Sequence, residues 1–161
     1  MSARKFLWFG VLGLLGATSA GLIVKSSFLA QPACACANPG KGYVGAFARA
    51  QQAHFLEQDE FATAIRDLGL NIGDNAAESD KTTTTATHDI QIAVTETAAF
   101  TYVYSANPTN PESFVSGVFL VPDAAPGVFN TKAIVCEAPT AERLQAPIDA
   151  QTCAPGNTPV P

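Results

Sequence analysis

Residues 41–57 read KGYVGAFARAQQAHFLE, and the spacing of their apolar members decides the architecture. Val44, Phe47, Ala48, Gln51 and Phe55 recur at steps of three and four, which places them on one face of an α-helix. Ala46, Ala50 and Ala53 raise helix propensity, and Gln51 is the one polar member of the buried face. Towards the C-terminus, Gln58-Asp59-Glu60 breaks the pattern. Asp59 or Glu60 can then cap a second, shorter helix over 61–70 (FATAIRDLGL), with Phe61, Ile65 and Leu68 inward and Gly69 stopping it. Residues 71–86 (NIGDNAAESDKTTTTA) are polar and read as a loop.

Beyond that loop the period changes to alternation. Ile90, Ile92 and Val94 alternate with Asp89, Gln91, Ala93 and Thr95, the pattern of a strand with one buried face. Segments 100–104, 114–121 and 133–136 carry the β-branched and aromatic residues of three more strands. The breaks between them, SANPTNPES and PDAAPG, are turn-like and too short for a crossover helix, so neighbouring strands run antiparallel. The chain from Ala138 is Pro-rich and reads as loop and tail. One amphipathic helix over one face of a four-stranded antiparallel sheet is an α+β domain.

On the N-terminal side, residues 25–41 link this domain to an apolar run. Pro32 and Pro39 interrupt any helix there, and Asn38-Pro39-Gly40 reads as a turn. The run itself, FLWFGVLGLLGATSAGLIV over 6–24, has the length needed to cross a hydrocarbon core of about 30 Å as a helix. Arg4 and Lys5 precede it, which keeps the N-terminus in the cytoplasm and exports the rest, and Lys25 weakens that bias. The run reads as a retained inner-membrane anchor. The competing reading is a secretory signal cleaved after Thr18-Ser19-Ala20 or Ser19-Ala20-Gly21, leaving the domain outside the cell or at its surface. A lipid anchor on Cys34 or Cys36 is disfavoured, because the position three residues before each holds Gln31 or Ala33 rather than an aliphatic side chain. The expected organisation is thus a membrane or signal segment with linker at 1–33, a globular head at 34–153 and a Pro-rich tail at 154–161.

Charge and cysteines narrow the function classes. All 14 acidic residues follow position 56, against six basic ones after position 40, which leaves the head at −8. Such a surface repels a phosphate backbone, so nucleic acid is not expected as a partner. Outside the cytoplasm four cysteines point to disulfides. Cys34 and Cys36 are close in sequence and would bridge each other only under strain, so they form a second disulfide or stay a thiol pair. A bridge between Cys136 and Cys153 would contribute about 3 kcal/mol by the chain-entropy argument. The rival, a four-cysteine zinc site, fits poorly, because Cys34 and Cys36 enclose one residue where structural sites use two to four.

No reaction centre is legible. His54 and His88 belong to different elements and to no zinc-protease spacing. There is no nucleophile elbow, and Gly117 in Ser116-Gly117 reads as a strand bulge. The acidic stretch 74–80 lacks the register of a calcium loop. Phe100, Tyr102 and Tyr104 share one strand face, where core packing competes with a sugar-binding platform and outweighs it. No cofactor, metal or catalytic residue is expected, and the chain reads as non-enzymatic.

The run Tyr43-Val44-Gly45-Ala46-Phe47-Ala48-Arg49-Ala50-Gln51-Gln52-Ala53-His54-Phe55-Leu56-Glu57, followed by Phe61-Ala62-Thr63 and Leu68-Gly69-Leu70-Asn71-Ile72, resembles the head-domain opening of the cyanobacterial type IV pilin-like G/H family. His54 stands where the family has an aromatic residue, and Asn71 where it has glycine. The threonine-rich middle, the strand ending Ala133-Ile134-Val135-Cys136-Glu137 and a second cysteine in a Pro-rich tail agree as well, so the resemblance covers about 41–153. It implies a structural or accessory component of a pilus or secretion-type assembly, acting in adhesion or assembly at the cell surface. Its implied partners are other pilin-like subunits or envelope assembly proteins, with the membrane met through 6–24. It also implies that Cys136 and Cys153 staple the last loop to the sheet. The N-terminus diverges: Gly10-Val11-Leu12-Gly13-Leu14-Leu15 replaces the prepilin cleavage motif, and no acidic residue precedes Glu57. The alternative is an exported or membrane-anchored ligand-binding module with a pilin-like fold that stays out of filaments.

Overall fold

The computed structural model describes residues 38–72, 80–125 and 127–161. Helix α1 spans Pro39–Gln58. The Asn38 side chain accepts a hydrogen bond from the Gly40 N–H at 2.9 Å, and Pro39 occupies the first helical position, where its missing N–H is harmless. The turn expected at Asn38-Pro39-Gly40 is therefore the helix start. Asp59 ends α1 in the left-handed conformation (φ 60°), its N–H donating to the Phe55 carbonyl at 2.9 Å. Asp59 thus closes the first helix instead of opening a second one.

The expected second helix is reduced to a 3-10 turn, Ile65–Leu68, which Gly69 stops at φ 63°. The cause lies in α1. Gln51, 1% exposed, donates through Nε2 to the Ala62 carbonyl at 2.9 Å and accepts from the Ala62 N–H at 3.0 Å. Both backbone groups of Ala62 are taken by that side chain, and Ala64 is extended (φ −126°, ψ 143°), so a helix cannot begin until Ile65.

Six strands, not four, form one antiparallel meander in sequence order: β1 (Thr82–Thr84), β2 (His88–Val94), β3 (Ala98–Ser105), β4 (Ser113–Pro122), β5 (Phe129–Ala138) and β6 (Thr158–Pro159). The additional strands are the two edges. β1 comes from the threonine run expected as loop, and β6 from the segment expected as tail. Gly117 pairs with Phe100 and Ile134 in unbroken register, so it is not a bulge. A side chain there would collide with the Phe119 ring, 2.5 Å away, and would crowd Pro147 at 3.3 Å.

The register sorts the sheet into two faces. Ile90 opposite Val103 opposite Phe114 meets Val44 and Phe47 of α1, together with Ile65 and Leu68. Further along, Ala99 and Val118 pack with Ala48 and Phe61, and Phe55 is half-buried against them. On the opposite face Tyr102, Val115 and Cys136 lie side by side and are covered by Leu144 and Cys153 from the C-terminal loop. A second 3-10 turn, Ala141–Arg143, begins that loop.

Candidate functional surface

Cys136 and Cys153 are joined by a disulfide with Cα atoms 5.8 Å apart, which holds the C-terminal loop on the back of the sheet. Cys34 and Cys36 lie outside the described residues, as does the apolar run 6–24. Among the described residues no helix is long and apolar enough to cross a membrane.

The aromatic row of β3 belongs to the same back face. Tyr102 and Tyr104 stack on each other, centroids 6.1 Å apart and planes 5° from parallel, and Phe100 meets Phe119 edge-on at 5.6 Å. The two tyrosines therefore each have one ring face turned to the other. Burial pushes both phenols above their ordinary range, with Tyr104 adding to the effect on Tyr102.

The two histidines are far apart in role. His54 is half-exposed on α1. His88, 4% exposed, packs under the start of the helix, where a Cβ on Gly40 would lie 2.9 Å from His88 Nε2 and 2.7 Å from Phe114. Its Nδ1 meets Thr87 Oγ1 at 2.8 Å, and Tyr43 sits edge-on at 5.7 Å. Burial lowers the His88 pKa below its ordinary value, and Asp89 opposes the shift.

Threonine and serine hydroxyls hold turns. Thr85 Oγ1 donates to the His88 carbonyl (3.1 Å) and accepts its N–H (3.0 Å), closing β1 onto β2. Thr95 repeats those bonds with Ala98, at the same distances, between β2 and β3. The signal was present in the sequence as the repeated Thr-Ala-Thr and Thr-Glu-Thr, ten positions apart, and composition alone hid it. Ser116 Oγ, beneath the helix, has no hydrogen-bond partner among the described residues. Asp80, at the end of the acidic stretch, forms an ion pair with Arg66, and residues 73–79 lie outside the described chain. Among the described residues no three His, Cys, Asp or Glu side chains are placed to share a metal ion.

A further surface feature is a cleft of about 700 Å³ where α1 ends, lined by Phe55, Phe61, Leu120 and Phe129 together with Asp59, Glu60 and Glu96. Sequence reasoning did not find it, because its walls come from α1, the segment after α1, the end of β2, β4 and β5. A second groove, of about 480 Å³, runs beside it between Leu56 of α1 and Asn130 of β5.

One helix laid across an antiparallel meander, with a disulfide-held C-terminal loop and polar side chains used to shape turns, defines a pilin-like head domain. The family model of type IV pilin-like G and H matches residues 38–158, and the chain belongs to that family. No curated protein and no solved structure matches it.

Proposed function

We propose that this protein is a non-enzymatic structural or accessory component of a pilus or secretion-type assembly at the cell surface, working beside other pilin-like subunits or envelope assembly proteins. The observation that carries the reading is the family match over the whole helix-and-meander unit, residues 38–158. The apolar run 6–24 supports export, and it would hold the protein in the inner membrane or be removed to release it. The disulfide fits an oxidising compartment.

N-terminal sequencing of the mature protein tests this. A methylated start at or near Val11 is the expected product of the pilin route. A start at Gly21 or Gln31 would mean free secretion and would overturn filament membership. A second reading, an exported or membrane-anchored ligand-binding module that stays out of filaments, is favoured by one feature: the apolar run has no carboxylate to pair within a filament.

A further inference from the structure

The end of the domain where α1 stops breaks several local rules at once. Of four exposed large apolar side chains among the described residues, Leu56 (76%) and Phe129 (54%) line the two grooves there, and Val128 (47%) adjoins Phe129 in the chain. The last turn of α1 holds no basic residue, and Glu57, Asp59 and Glu60 crowd the negative end of the helix dipole. No basic residue lines the cleft, and none of these carboxylates, nor Glu96 across it, is in an ion pair among the described residues. Departures from local consistency concentrate at functional sites. An apolar floor ringed by unpaired carboxylates is complementary to an apolar side chain flanked by cations.

We infer that this cleft docks a segment of a partner protein bearing a bulky apolar or aromatic residue between lysines or arginines. The apolar side chain enters between Phe55, Leu120 and Phe129, and its cationic neighbours meet Asp59, Glu60, Glu96 and the carbonyl end of α1. A second copy of this head is a poor occupant. Its net charge of −8 repels another copy, and two of its six basic residues, Lys41 and Arg66, are already engaged by Glu137 and by Asp67 and Asp80. The inference goes beyond the assembly role and does not depend on it, because the cleft lies within the described head whether or not the protein enters a filament.

Fluorescence anisotropy with the full-length protein in a nonionic detergent tests it. The probe is a labelled peptide with a Phe-Leu-Phe centre flanked by lysines, and the comparison peptide carries glutamates instead. The lysine peptide should bind at least about tenfold more tightly. Glu60→Lys with Glu96→Lys should abolish that preference, and Phe129→Ser should weaken the lysine peptide about fivefold or more. Asp89→Lys with Glu142→Lys, on exposed positions elsewhere, should leave binding within about twofold. Thermal melts confirm that each variant is folded. Equal or absent binding of the two peptides overturns the proposal, as does an equal loss in the Asp89/Glu142 control, which would mean generic charge attraction. Concentration-dependent dimerisation removed by Phe129→Ser would assign the cleft to a second copy and would also overturn it.

Discussion

Gln51 carries more of this structure than its polarity suggests. On a helix face otherwise made of Val44, Phe47, Ala48 and Phe55, its amide pairs with both backbone groups of Ala62, as a neighbouring strand would. Replacing it by leucine keeps the face apolar but leaves a buried N–H and a buried carbonyl without partners. The expected cost is about 2–4 kcal/mol, read as a lower urea midpoint with unchanged slope. His88 sets a pH limit. Its pKa is lowered on folding, so the unfolded chain binds the proton more readily. Stability is therefore complete above the ordinary histidine value of 6.5 and falls as pH drops below it, until the folded ring also protonates. Thermal melts from pH 7.5 to 5 should show that decline, and His88→Asn should flatten it; a flat profile in the parent protein would contradict the burial argument.

At the scale of elements, periodicity made α1 and β2 legible, because each buries one regular face, while β-branched and aromatic residues marked β3 to β5, of which β4 is buried on both faces over Ser113–Val118. The edges escaped for a physical reason. β1 offers three threonines of which only Thr83 is buried, so no hydropathic alternation marks it, and β6 is two exposed residues tied to β5 by backbone pairing. The short second helix was misread because its helical pattern was sound locally while Gln51, eleven positions before Ala62, had claimed the backbone needed to start it. The candidate cleft was not legible at all, since Phe55, Glu96, Leu120 and Phe129 come together only in the fold. The paired threonine turns make a direct check. Thr95→Val removes a hydroxyl that both donates to and accepts from Ala98 without changing side-chain shape, and should cost about 1 kcal/mol in chemical denaturation. The C-terminal staple is larger. Joint Cys136→Ala and Cys153→Ala should cost about 3 kcal/mol, and reduction of the parent protein should reproduce the loss, because the bridge restricts the unfolded loop and holds Leu144 over the back of the sheet.

At the scale of the whole molecule, a meander whose neighbours in space are neighbours in sequence gives a self-contained head. The head carries a net charge of −8. Among the described residues, polar side chains close hairpins, cap a helix and tie α1 to the chain beyond it. In the proposed function that head is displayed in a surface assembly. Shearing filaments from intact cells and probing the filament, membrane and medium fractions with an antibody to the head tests it most directly. The protein should appear with sheared filaments or with the membrane-bound assembly that makes them; recovery solely from the cytoplasm, or solely as free protein in the medium, would contradict it.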